Sequence, residues 1–232
     1  MSGTLYGLGV GPGDPELLTL KAHRLLTSAR VIAYPAPDSG ESFARAIVAR
    51  YIPDGAREIP IVIPMRTERF PAQDVYDEAA ETIAAALDAG EDVVVLCEGD
   101  PFFYGSFMYL FSRLSERFQA EIVPGVSSLG AVTAVARQPL IAREEVLTVV
   151  PATLDEPELE QHLKAANAAA IMKLGRHFGR TRAVLERLGM AERAVFVSHA
   201  SLPQQHVCPL SEAPDTAPYF SMIVVPGKDA HV

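Results

Sequence analysis

The chain has 232 residues, 49% of them hydrophobic, and a formal net charge of −9, enough for one large or two small domains with a substantial buried core. The acidic balance argues against a general phosphate-backbone binder, which works through Lys and Arg displacing counterions, so no nucleic-acid partner is expected. Two cysteines, Cys97 and Cys208, offer neither metal-ligand spacing nor a disulfide framework; they read as buried thiols of a cytoplasmic protein.

The first apolar run, Leu5 to Val10, reads as a strand and leads into Gly7-Leu8-Gly9-Val10-Gly11-Pro12-Gly13-Asp14-Pro15. Alternate glycines there remove the side chains that would stop another backbone, or a cofactor, from coming close. A helix is expected from Glu16 through Ala29, with Leu17, Leu18, Ala22, Leu25 and Leu26 on one face and Asp14-Pro15 as N-cap and first-turn proline. The dinucleotide fingerprint is absent, since its third glycine falls on Asp14 or Pro12 depending on register. A phosphate-binding loop is absent too, because the only Gly-Lys pair, Gly227-Lys228, is followed by Asp229. No basic residue precedes Lys21, which argues against a secretory signal.

Strands at Val31–Tyr34 and Ile59–Ile63 alternate with helices at Phe43–Tyr51 and Tyr76–Ala89, the rhythm of an α/β fold. The strand Asp92–Cys97 then runs through Glu98 into the turn Gly99-Asp100-Pro101. Asp100 serves such a turn, and an acid at a strand end also holds a hydroxyl or balances a cation. Phe102, Phe103, Tyr104, Phe107 and Tyr109 put five aromatics into eight positions of a chain that is 7% aromatic. Packing of the next helix, Phe107–Phe118, accounts for about half of them, and the rest wall a flat apolar ligand or face a cation.

After a strand at Glu121–Val123, the segment Pro124-Gly125-Val126-Ser127-Ser128 opens a helix that reaches Arg137. Its free amides and the hydroxyls of Ser127 and Ser128 suit either an anion or a simple helix cap. The run Ile122 to Ala136 is uncharged but broken by Pro124, Gly125, Ser127, Ser128 and Gly130. It falls short of the ~20 apolar residues that span a bilayer, so no membrane partner is expected. A domain boundary is placed at this Pro-Gly step, giving domains 1–123 and 124–232.

The second half repeats the rhythm, with strands at Val146–Val150, Ala169–Lys173, Ala194–His199, Gln205–Cys208 and Phe220–Val225, the last ones antiparallel, and helices at Glu158–Ala166 and Arg180–Leu188. Two further strand ends, at Leu174-Gly175 and Ala200-Ser201, carry small residues; with those at Gly9–Gly13 and Gly99–Pro101 they make four candidate ligand turns, since α/β sheets bind ligands beyond strand carboxyl ends. His23, His162, His177, His199, His206 and His231 are scattered, without zinc-ligand spacing or a Ser-His-acid constellation. No metal and no catalytic residue is assigned; His177 is a candidate substrate contact or a surface histidine. Arg176, Arg180 and Arg182 form a basic cluster that either steers an acidic ligand or is the solvated start of a helix.

At four ordered motifs the sequence resembles the tetrapyrrole (precorrin/corrin) methyltransferases: Gly7–Asp14 with Leu17-Leu18-Thr19, Gly99-Asp100-Pro101-Phe102, Pro124-Gly125-Val126-Ser127-Ser128, and Met172-Lys173. The segments Phe103–Tyr109 and Met172–His177 are similar to the branch that methylates C-20 of precorrin-2 in cobalamin synthesis. The resemblance implies two α/β domains around a cofactor cleft, S-adenosyl-L-methionine as cofactor, a small-molecule tetrapyrrole substrate and a homodimer. The resemblance implies cofactor contacts for Pro12, Glu98, Gly99, Asp100, Ser127, Ser128, Met172, Ala200 and Met222, and the residues themselves make Phe103, Tyr104, Arg176 and His177 candidate substrate contacts. Methylation at another ring position, or a non-catalytic tetrapyrrole- or nucleotide-binding module, are the alternative readings.

Overall fold

The computed structural model describes residues 1–63 and 72–230; His231 lies outside them. The chain forms two compact units, Met1–Ser127 and Ser128–Val232.

The first unit holds a five-stranded sheet of β1 (Leu5–Gly9), β2 (Val31–Pro37), β3 (Arg57–Ile63), β4 (Val93–Cys97) and β5 (Ala120–Val123), ordered β3-β2-β4-β1-β5. All four pairings are parallel, so every strand carboxyl end lies at one edge of the sheet. Both faces are covered, which is why β4 reads as an unbroken apolar run, Val-Val-Val-Leu-Cys, with every residue buried. Its alternate residues divide between two cores. Val93, Val95 and Cys97 pack with Tyr76, Ile83 and Leu87 of α3 (Ala72–Asp88) and with Leu110 and Leu114 of α4 (Phe107–Leu114). Val94 and Leu96 pack with Ala22 and Leu26 of α1 (Leu20–Thr27) and Ile47 and Val48 of α2 (Phe43–Val48). A strand period of two places one helical layer on each face.

The helix expected from Glu16 is displaced. Asp14 Oδ1 accepts from the Glu16 amide at 2.8 Å, but the turn it caps is a 3-10 turn, Pro15–Leu17. Thr19 then caps α1 by accepting from the Ala22 amide at 3.2 Å. Two N-cap signals five residues apart each start a turn, and only the second continues as an α-helix.

The second unit contains α5 (Ser128–Ala136), β6 (Leu147–Pro151), α6 (Glu156–Lys164), β7 (Ala168–Met172), α7 (Phe178–Arg187), β8 (Val195–Ser198), β9 (His206–Pro209) and β10 (Ser221–Val225). The sheet order is β6-β7-β10-β8-β9. β6 and β7 are parallel, whereas β10 runs antiparallel to both β7 and β8, and β9 antiparallel to β8. Ala169, Ile171, Phe196 and Ile223 pack against Leu159, Leu163, Phe178 and Leu185 of α6 and α7. Ala168, Ala170, Val197 and Val224 face Val132 of α5. Among the described residues no helix is long and apolar enough to cross a membrane.

Candidate cofactor site at the strand ends

In the first unit, the exits of β1, β4 and β5 approach one another backbone to backbone. Gly11 and Gly99 form an isolated antiparallel bridge: the Gly99 amide donates to the Gly11 carbonyl at 2.8 Å, and the Gly11 amide to the Gly99 carbonyl at 3.3 Å. A Cβ on Gly9 would lie 2.5 Å from Gly125 Cα, and one on Gly125 would lie 2.0 Å from the Gly99 carbonyl oxygen. The glycines at these exits thus admit neighbouring chain, the first of the two roles that their spacing suggests. Gly11 and Gly99 also adopt left-handed φ of 81° and 63°, a region that favours glycine.

Asp100 binds this junction together. Its Oδ1 accepts from the amides of Phe102 and Phe103 at 2.9 and 3.1 Å, and its Oδ2 accepts from the Gly125 amide at 3.1 Å. One carboxylate therefore fixes both the turn after β4 and the segment leaving β5. Pro12 stands half-buried beside the Gly11 bridge, and Ser127 lies two residues beyond Gly125, also half-buried. Glu98 directs its carboxylate to the Ala44 amide in the first turn of α2; burial pushes it above the ordinary carboxylate range, with its own and the Ala44 amide offsetting part of that.

Of the five clustered aromatics only Phe107 is core, at 1% exposure, because glycine at position 7 leaves room for its ring. Phe102, Phe103, Tyr104 and Tyr109 remain 37–45% exposed, so core packing claims fewer than the expected half. Phe103 and Tyr104 lie edge to face at 5.4 Å between ring centres, and Phe102 packs on Phe111 at 5.2 Å. Tyr104 holds φ at 57°, a conformation that costs a non-glycine residue about 1–2 kcal/mol.

In the second unit, Met172 ends β7 and lies opposite Met222 in the β10 register, and Ser198 ends β8 opposite Ser221. The His199 amide donates to the Phe220 carbonyl at 2.8 Å, which holds Ala200 at this same edge. Met222 is 3% exposed, while Met172 and Ala200 are half-buried. Lys173, His199 and Ser201 all have left-handed φ, between 50° and 65°. Three strained non-glycine residues at one sheet edge are a signal of function that sequence reasoning missed, because nothing in Lys, His or Ser announces that conformation. Ser128 opens α5.

Arg176 and His177 sit in the 3-10 turn Gly175–His177 ahead of α7. Of the basic cluster, Arg182 turns away to pair with Glu186 at 3.2 Å. Arg180 donates from Nη2 to the carbonyls of Ala152 and Leu154 at 2.7 and 2.6 Å, latching the β6 exit to α7. Cys97 and Cys208 are buried free thiols, with Cys97 pushed well above its ordinary value by burial. Among the described residues no three His, Cys, Asp or Glu side chains are grouped to hold a metal.

Two α/β units, each with glycine or small residues at its strand exits, have the architecture in which ligands bind beyond strand carboxyl ends. The chain belongs to the tetrapyrrole (corrin/porphyrin) methylases, whose family model matches residues 4–214. It is 44% identical, over 97% of its length, to the cobalamin biosynthesis protein CobIJ of Mycobacterium tuberculosis, and spans 46% of that longer relative. It is 41% identical to a precorrin-2 C(20)-methyltransferase of a Sinorhizobium species, over 97% of this chain and 96% of the other. The structure of a cobalt precorrin-4 methyltransferase superposes with a TM-score of 0.76 at 26% identity, covering 96% of this chain and 94% of that one. A uroporphyrin-III C-methyltransferase of Thermus thermophilus, solved with S-adenyl homocysteine, shares the fold at a TM-score of 0.66 and 24% identity, over 97% of this chain and 92% of that one.

Proposed function

We propose that the protein transfers a methyl group from S-adenosylmethionine to C-20 of precorrin-2 or its cobalt complex. The observation that carries the substrate is the end-to-end match to a precorrin-2 C(20)-methyltransferase. The donor contacts proposed are Pro12, Glu98, Gly99, Asp100 and Ser127 in the first unit and Ser128, Met172, Ala200 and Met222 in the second. We take the enzyme to be a homodimer, as the family resemblance implies, and cytoplasmic, as its two buried free thiols suggest.

The residues present fit the donor. At the β1 and β4 exits Gly11 and Gly99 carry no side chain to screen their backbone, and the half-buried Met172 at the end of β7 offers an apolar, polarisable contact suited to a flat base. When bound, the donor supplies a methyl group on a sulfonium, which an electron-rich carbon displaces while the bond electrons stay on sulfur. The protein's task is then alignment and exclusion of water, and holding reactants in line is worth roughly 7–11 kcal/mol of barrier. The exposed rings of Phe103 and Tyr104 suit the face of a macrocycle. No single acid or base is required to create the nucleophile; a base serves only to take the proton left on the methylated carbon.

Incubation with methyl-labelled S-adenosylmethionine and precorrin-2, followed by carbon NMR of the product, tests the reading. Label at C-20 is the expected result. Label at another ring carbon overturns the assigned position, and bound but unmethylated tetrapyrrole overturns the enzyme in favour of a binding module.

A further inference from the structure

The head of α7 gathers two guanidinium groups around one imidazole. Arg176 Nε lies 3.4 Å from His177 Nε2, and Arg180 Nη2 lies 3.4 Å from His177 Nδ1. A neutral imidazole has one accepting nitrogen and one N–H, whereas guanidinium nitrogens only donate. One of the two contacts therefore sets donor against donor. What the cluster lacks is an anionic acceptor.

The described residues supply none. Their ion pairs engage Arg45, Arg57, Arg113, Arg117, Arg182 and Arg187, but no carboxylate among them meets Arg176 or Arg180. Arg180 Nε is buried without a hydrogen-bond partner. Neutral carbonyls of Ala152 and Leu154 hold the Arg180 head in place without cancelling its charge. In a chain of net charge −9, two positive groups left unneutralised on one histidine create a local field of opposite sign to the whole. Burial first, and then the charges of Arg180 and Arg176, hold the His177 imidazole below its ordinary value; those two arginines are the charged groups that act on it. The cluster stands four to eight residues past Met172, at the strand-exit edge of its sheet.

We propose that Arg176, His177 and Arg180 form a carboxylate-binding subsite that takes an acidic side chain of the tetrapyrrole. This rests on the methylase reading, since the substrate class is what brings a carboxylate to this edge. Arg180 is pre-positioned by its carbonyl latch, and the exposed Arg176 closes on the anion from solvent. A bound carboxylate supplies the missing acceptor and allows His177 to take up a proton and become a third donor.

The test uses the whole chain and two ligands: uroporphyrin, a stable tetrapyrrole with eight carboxylates, and S-adenosylhomocysteine, whose amino-acid part carries the alternative carboxylate. Binding of each is measured for wild type, Arg176→Gln and Arg176→Lys, with the His177 ring titrated by NMR. The expected result is about tenfold weaker uroporphyrin binding by Arg176→Gln, partial recovery in Arg176→Lys, unchanged S-adenosylhomocysteine binding, and an upward shift of the His177 titration when uroporphyrin binds. Uroporphyrin binding that is equal in all three proteins, with His177 unmoved, overturns the subsite and leaves the methylase reading standing. Weaker binding of S-adenosylhomocysteine instead assigns the cluster to the donor and overturns the substrate assignment. A wild type that binds S-adenosylhomocysteine but no uroporphyrin overturns the subsite and leaves the methylase reading standing.

Discussion

Gly125 lies so close to Gly99 that a single added carbon on the first would sit 2.0 Å from the carbonyl oxygen of the second. No rotamer relieves that clash, since it arises at Cβ and the obstacle is backbone in the middle of the first unit's sheet edge. Gly125→Ala is therefore expected to shift the β4 and β5 exits apart or to unfold the unit, with a loss of more than about 3 kcal/mol in urea denaturation. At Gly130, five residues on in α5, a methyl group would meet nothing within 4 Å. Gly130→Ala is expected to gain up to about 1 kcal/mol from reduced backbone freedom in the unfolded chain. Equal effects of the two substitutions would refute the close-packed junction.

Asp100 is the polar counterpart of that glycine junction. Asp100→Ala leaves three backbone amides, those of Phe102, Phe103 and Gly125, without their acceptor. Partly solvated amides recover water, so a loss of about 2 kcal/mol is expected rather than the sum of three full bonds. Asp100→Asn retains Oδ1 but turns an N–H toward Gly125, and it is expected to fall midway. If Asp100 acted by touching ligand alone, both variants would melt like wild type and lose only S-adenosylhomocysteine affinity in calorimetry.

The pattern of residues makes much of this architecture legible, and its limits have physical causes. Strands such as β4 are apparent because burial on both faces demands an unbroken apolar run. The Gly99-Asp100-Pro101 turn is apparent because turn chemistry is local. The third bond of Asp100 is not, since Gly125 is 25 residues away and only the finished sheet brings its amide near. The same holds for the left-handed backbone at Lys173, His199 and Ser201: tertiary packing imposes it against local preference. The start of α1 is misread for the opposite reason, as Asp14 and Thr19 are both good caps and local rules do not rank them.

Arg180 gives a prediction confined to the second unit. Its Nη2 bridges the carbonyls of Ala152 and Leu154 just past β6, and hydrogen bonds from a charged donor are worth about 1.5–3 kcal/mol. Arg180→Ala is expected to destabilise by about 2 kcal/mol and to increase hydrogen exchange at residues 152–155, with α1 to α4 unaffected. Arg180→Lys, with a single ammonium in place of the planar fork, recovers only part of this. Uniform loss of protection across both units would show that the latch is not local.

Glu98 couples stability to pH at the exit of β4. Burial raises its carboxyl above the ordinary value of 4.5, so the folded chain holds the proton more tightly than the unfolded one. In the window from 4.5 up to the raised value the native state binds more protons, and stability falls as pH rises through it. Above that window the full penalty of a buried carboxylate remains; below 4.5 both states are protonated and the penalty is gone. Glu98→Gln, which keeps an oxygen for the Ala44 amide, is expected to raise Tm at about pH 7 and to match wild type near pH 4. If Glu98 also holds a hydroxyl of the bound donor, the same variant binds S-adenosylhomocysteine more weakly while melting at a higher temperature. Parallel Tm curves for the two proteins across that pH range would show that the carboxyl carries no burial penalty.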